Sequence, residues 1–395
     1  MLVSGSADKT IRLWQIGEIA LKTIKAHSDW IWGIAFSPNS ELLASVSADK
    51  TIKIWDIQGN LINNFEEHND LVRGIAFSPN SKLLASGSAD GTIKVWDLVQ
   101  GKNKLTFKGH KSKVWSVRFS PDGNMVASSS DDQTIRLWNL KEATEVKIFH
   151  SHKSGMRSVR FSSNGQLLAS GSNDGMIKIW DIDGKEINSF QAHSAKIRSM
   201  SFNSDSTMIA SASADETVKV WEINGKLIHT FRGHASGVWS VRFSPNDKLL
   251  ASGGSDLTVQ LWKLDGTLIH TFRGHTALVL SVSFSPDGKL LASVSADRTI
   301  KLWKLDNLKP QGTNLEEILQ DGCTWLENYL ITNPNISEAD RNLCAVNASI
   351  SKHKSSNLAK ELRETKQQLQ KTLEQEKKQR QRAEIADVQA TQSRP

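Results

Sequence analysis

Over residues 1–305, apolar residues come in short runs, each closed by small polar ones. Residues 108–150 are representative. VWSVRF leads into the turn SPDG, NMVASSS into an acidic turn, and QTIRLW is followed by KEATEVKIF. Runs of about 4–8 residues rich in Val, Ile, Phe and Trp, bounded by Ser, Pro, Asp, Gly and Asn, read as strands. In SPDG (residues 120–123 and 285–288) and SPNS (residues 37–40 and 78–81), Pro pre-sets φ for a hairpin turn. No run in this region has the length and period of an amphipathic helix. The pattern predicts four strands, then four strands again.

The recurrence is strict. Trp14, Trp55, Trp96, Trp138, Trp180, Trp221, Trp262 and Trp303 follow one another at intervals of 41, 41, 42, 42, 41, 41 and 41 residues, each ending a phrase like TIRLW or TIKIWD. A fixed period of about 40 residues marks a repeat architecture. Four strands per unit without a helix is one blade of a β-propeller.

Each complete unit also holds a polar quartet at constant spacing. The seven are His27, Ser45, Asp49, Trp55; His68, Ser86, Asp90, Trp96; His110, Ser128, Asp132, Trp138; and His152, Ser170, Asp174, Trp180. They continue with His193, Ser211, Asp215, Trp221; His234, Ser252, Asp256, Trp262; and His275, Ser293, Asp297, Trp303. A Ser, His and Asp in one set suggest a nucleophile triad. Sevenfold repetition and the lack of a Gly-flanked elbow argue against that. The physical expectation is a chain of hydrogen bonds from Trp N–H to Ser to His to Asp, in which each buried polar group satisfies the next.

The His before the first strand, the S-x-S-x-D phrase and the Trp-Asp dipeptide (Trp55–Asp56, Trp96–Asp97, Trp180–Asp181) resemble the WD-repeat family over roughly residues 1–305. The resemblance implies that the quartet ties inner and outer strands of a blade together, and that the molecule is a propeller working as an interaction scaffold.

Seven units run from His to Trp; an eighth, at residues 2–14, has Ser4, Asp8 and Trp14 but no His. No clean outer strand follows Trp303. Residues 19–25 (IALKTIK) can complete the last blade, which gives seven blades and leaves residues 2–16 as a spare hairpin. The alternative is eight blades, the first and last each one strand short. Seven is the expectation. The headless first unit also suggests a piece of a longer repeat protein.

Past Lys309-Pro310 the strand pattern stops. Residues 1–306 are read as the propeller and 307–350 as a small helical cap, with Leu315, Ile318, Leu319, Trp325, Leu326, Tyr329 and Leu330 at helical spacing. Residues 351–395 are read as a charged C-terminal α-helix. The 354–388 stretch has no Gly or Pro, but fewer than two clean heptads, so it offers weak self-association at most. The cap phrase resembles the tail of large bacterial, notably cyanobacterial, WD-repeat proteins, which implies a link to signalling.

Composition adds bounds. Cys323 and Cys344 lie outside the repeats, so no disulfide framework is expected and the cytoplasm is the default location. No transmembrane span is expected. The net charge of +7 is mild, and nucleic-acid binding has no motif behind it. No HExxH, CxxC or phosphate loop is present, so neither catalysis nor a cofactor is expected, and a small-molecule enzyme using the propeller channel is the alternative.

The informative tryptophans are those off the beat. Five residues after each repeat His stand Trp32, Arg73, Trp115, Arg157, Arg198, Trp239 and Leu280, with Trp30 beside the first. The resemblance puts this slot near the mouth of the central channel. Trp and Arg are enriched in binding hot spots. The expected partner is a protein or peptide, acidic in character. Small residues before each Asp (Ala7, Ala48, Ala89, Asp131, Asn173, Ala214, Ser255, Ala296) are expected to leave the ring open.

Overall fold

A computed structural model describes residues 2–5, 11–14, 21–150, 152–305 and 308. Of the thirty strands among them, all but two form seven four-stranded antiparallel sheets. We number the blades one to seven by their inner strands, Ile31–Phe36, Val72–Phe77, Val114–Phe119, Met156–Phe161, Ile197–Phe202, Val238–Phe243 and Val279–Phe284. Each inner strand contacts the inner strands of both neighbouring blades, and that of blade seven contacts that of blade one. The ring is therefore closed around a central channel.

Six blades consist of four consecutive strands. Blade seven takes its outer strand from the other end of the chain, in the order Val279–Phe284, Leu290–Ser295, Thr299–Lys304, Lys22–Lys25. The closing pairs run from Lys22↔Leu302 to Lys25↔Thr299. The Ala26 amide donates to Arg298 O at 3.1 Å, and Lys301 Nζ donates to Thr23 Oγ1 at 3.0 Å. This is the closure that residues 19–25 predict. Leu2–Gly5 and Ile11–Trp14 pair only with each other, as the spare hairpin. The eight-bladed alternative is not adopted.

The core lies between blades rather than within one. A sheet buried on both faces must pack against two neighbours, and seven apolar clusters fill the seven seams. At six seams, the Trp of one blade meets a Phe from the outer strand of the blade before it. Phe65 stacks on Trp96 with centroids 4.6 Å apart, and Phe272 meets Trp303 at 5.0 Å. At the closing seam Ile24 stands where the others have Phe and shares a cluster with Trp55. The repeat Trp is thus a seam residue, which explains its regularity.

Apart from Leu308, which packs against the blade six–seven cluster, the expected cap over 307–350 and helix over 351–395 lie outside the described residues.

Candidate binding site at the channel mouth

The repeated quartets hold the turns beside the inner strands, as where Asp49 accepts from the Ser28 and Thr51 amides. In all seven blades the Trp Nε1–H donates to the Ser Oγ at 2.8–3.0 Å. The same Ser Oγ lies 2.7–2.9 Å from the His Nε2. In six blades the His Nδ1 lies 2.7–3.0 Å from an Asp carboxylate oxygen. One proton arrangement satisfies the whole chain: Ser O–H donates to Nε2 and Nδ1–H donates to Asp. Every Ser in the set is 0% exposed. Each hydroxyl is buried and held between a Trp and a His of its own blade.

A fifth member escaped the sequence reading. Thr51, Thr92, Thr134, Thr217, Thr258 and Thr299 each donate Oγ1–H to the Asp at 2.6–2.8 Å. The signal was present as D-x-T, two residues after each Asp. Blade four has Met176 there, and it is the blade whose quartet fails to close. His152 Nδ1 sits 4.0 Å from Asp174 and has no hydrogen-bond partner. Asp174 has turned to Ser172 Oγ and the Met176 amide. Without the hydroxyl clamp, nothing holds this carboxylate toward its His.

Asp132→Ala should cost about 1–3 kcal/mol, because His110 then loses its acceptor. Asp174→Ala should cost measurably less, and Met176→Thr should add about 0.5–1.5 kcal/mol. Urea midpoints decide this, and equal losses in the two Asp variants would contradict the blade-four geometry.

Burial lowers the pKa of His27, His193 and His275 against the opposing pull of their Asp partners. His152, whose Asp is too far away to bond, falls to about 4, with burial the main cause. Burial alone would raise the Asp49 and Asp132 carboxyls, but bonds from His and Thr hold them well below the usual range. The folded state thus refuses protons that the unfolded chain takes up. For the His the stability is complete above about pH 6.5 and is lost as pH falls toward the folded value. For the Asp the loss begins below about pH 4. His152 alone, with a folded pKa of about 4, makes the chain on the order of 3 kcal/mol less stable at pH 4 than at pH 7. Denaturant titrations at pH 7.5, 6, 5 and 4, matched against His152→Gln, test this. A wild-type stability that stays flat over that range would contradict it.

The mouth is built by a shared backbone device. In every inner strand the pairing with the second strand skips one residue, for example from Ile31↔Ser47 to Gly33↔Val46. The skipped residues are Trp32, Arg73, Trp115, Arg157, Arg198, Trp239 and Leu280. A β-bulge leaves its extra residue unpaired and re-aims the side chain. Here all seven line the central channel.

There they pack on one another. The Arg73 guanidinium lies 4.0 Å from the Trp32 ring centroid and 3.6 Å from that of Trp115. Arg157 covers Trp115 at 3.8 Å, and Arg198 covers Trp239 at 3.5 Å. Trp32 meets Trp115 and Trp239 edge-on, with centroids 6.4 and 5.9 Å apart. Such cation–π and edge contacts are worth about 0.5–2 kcal/mol each. Trp30 lies outside this cluster, 5.8 Å from Trp32 and 43% exposed. Leu280 is buried.

Two of the turn residues bond the ring. Arg157 Nε–H donates to Asn173 Oδ1 at 2.7 Å, and Trp239 Nε1–H donates to Ser255 Oγ at 2.8 Å. Burial, with Arg157 nearby, brings Arg73 down to about 9, which leaves it charged at neutral pH. Five buried donor atoms lack any acceptor: Trp32 Nε1, Trp115 Nε1, Arg73 Nε and Nη1, and Arg198 Nη1. The mouth is rich in donors and poor in acceptors. No group of side chains suited to a metal ion occurs among the described residues, and no helix there is long and apolar enough to cross a membrane.

Eight stretches match the family model described as WD domain, G-beta repeat: residues 1–15, 19–56, 59–97, 101–139, 143–181, 184–222, 225–263 and 266–304. Similar curated proteins include nuclear distribution protein PAC1 of Mycosarcoma maydis, 49% identical over 45 residues, which is 11% of this chain and 10% of that protein. WD repeat and SOCS box-containing protein 1 of Homo sapiens is 40% identical over 47 residues, 11% of each chain. The chain aligns with about a tenth of the length of these relatives, roughly one repeat.

Proposed function

Because the chain belongs to the WD domain, G-beta repeat family, whose propellers typically bind proteins or peptides, we propose that it is a non-enzymatic scaffold whose Trp–Arg mouth receives an acidic protein or peptide segment. The observation that carries this is the lining of the channel, which holds three Trp and six Arg and no Asp or Glu. A carboxylate or extended peptide backbone supplies acceptors to such a donor-rich lining. Trp30 adds exposed aromatic surface at the rim. We place the scaffold in the cytoplasm, as the sensor part of a bacterial signalling system.

Fluorescence polarisation with acidic, neutral and basic peptide pools tests this reading on the full chain. Acidic peptides should bind, more weakly as salt rises. Arg157→Ala with Trp115→Ala should weaken that binding at least tenfold. A peptide that binds this double variant at full strength would place the site elsewhere.

A further inference from the structure

Deeper in the channel lies a second set of cations that the mouth does not use. Arg118, Arg160 and Arg242 stand three residues beyond the bulges of blades three, four and six, in the phrase VRF, and all line the channel. Each guanidinium reaches back over the inner strand of the preceding blade. Arg118 Nη1 donates to Ile75 O at 2.8 Å, Arg160 Nη1 to Ser116 Oγ at 3.3 Å, and Arg242 Nη1 to Ser199 Oγ at 2.9 Å. Each also caps the carbonyl of the residue before it. Only Nη1 is engaged in each fork; a guanidinium has five N–H donors. The other donors make no hydrogen bond among the described residues, and all three side chains line the channel.

None of the channel-lining residues is an Asp or a Glu, while six are Arg. Protein surrounds the three deep guanidiniums, and burial lowers their pKa values, with their mutual repulsion adding at Arg118 and Arg160. Arg118 at about 9 and Arg242 at about 10 remain charged at neutral pH. Like charges converging in a low-dielectric space without a counter-charge call for an anion.

We propose that this channel binds a phosphate-class tetrahedral oxyanion between Arg118, Arg160 and Arg242. Three forks offer more donors than the two oxygens of a carboxylate take up, whereas a tetrahedral oxyanion presents up to four oxygens. The cavity of about 80 Å³ suits a small ion with a few waters. The Trp–Arg cluster lines the same channel, but Arg118, Arg160 and Arg242 take no part in its cation–π contacts.

The test uses the full chain. Inorganic phosphate and O-phosphoserine are each titrated by calorimetry, and the melting midpoint is followed against sodium chloride at matched ionic strength. Saturable binding of one phosphate per chain is expected, with a midpoint that rises with ligand concentration. The tighter of the two ligands identifies whether the free ion or a phosphoryl ester is the natural source, and either supports the site. Arg160→Gln with Arg242→Gln should lose at least tenfold in affinity. In phosphate-free buffer the same double variant should melt no lower than wild type, because a repelling pair is removed; a purely structural role predicts the reverse. Arg160→Lys keeps the charge but not the fork. It should bind phosphate several-fold more weakly with an unchanged fold, which keeps the idea testable should the double variant not fold. Trp30→Ala should retain phosphate binding while losing peptide affinity, so the two sites can fail independently. Phosphate that does no more than chloride, or that binds either Arg160 variant as tightly as wild type, overturns the proposal.

Discussion

Ile24→Asp is expected to unlatch the ring. Ile24 is 7% exposed, pairs with Ile300 across the closing ladder and fills the seam position that Phe holds elsewhere. Losing its burial costs about 1.5–3 kcal/mol. Placing a carboxylate in the same seam costs several kcal/mol more unless the strand leaves. The combined loss, on the order of 5 kcal/mol, reaches the lower end of the total stability of a typical domain. Once Lys22–Lys25 departs, Thr299–Lys304 becomes an exposed edge strand, open to pairing with other chains. Chemical denaturation should show a large drop in midpoint, and light scattering should show association. Leu21→Asp is the control, since Leu21 is 62% exposed. Equal midpoints for the two variants would show that the ring does not depend on this strand.

Trp96→Ala should be the most damaging truncation among the aromatic residues at the blade one–two seam. The side chain is 0% exposed, stacks on Phe65 and donates to Ser86. Truncating a buried Trp costs about 3–5 kcal/mol through lost burial and the cavity left behind. The Ser86 hydroxyl also loses a donor, which disturbs the quartet of blade two. Trp30→Ala, on an exposed ring, should stay within about 0.5 kcal/mol of wild type. Equilibrium unfolding of the pair separates tryptophans that fold the molecule from those left for other work. A loss below about 1 kcal/mol for Trp96→Ala is incompatible with its place in the seam.

Much of this fold is legible in the chain because the repeat states it many times. The Trp period predicts the blades, and the missing outer strand after Trp303 points to residues 19–25 as the closure, observed at Lys22–Lys25. The off-beat slot likewise picks out the channel mouth. What does not read out is the bulge. A bulge is an offset between two strands, and the residues of one strand carry no mark of it. Trp32 and Gly33 therefore look like ordinary alternation, although both line the channel. The open quartet of blade four was hidden for a related reason: Asp174 and His152 have the right spacing, and the fault lies in Met176, a residue outside the quartet. Arg118, Arg160 and Arg242 read as the polar face of a strand, and only the ring turns that face inward.

The closing strand also sets an order of events during synthesis. Thr23 and Lys301 are bonded to each other, yet 278 residues separate them. At about 5–20 residues per second, a ribosome needs roughly 15–60 s to traverse that distance. Throughout that interval Ile24 can reach the blade-one side of its cluster, such as Leu43 and Trp55, but lacks Ile300 and Leu302 of blade seven, while blades one to six can already stack as a growing arc. The nascent chain therefore spends most of its translation as an open crescent with two unprotected ends, and becomes a ring only when the last repeat emerges.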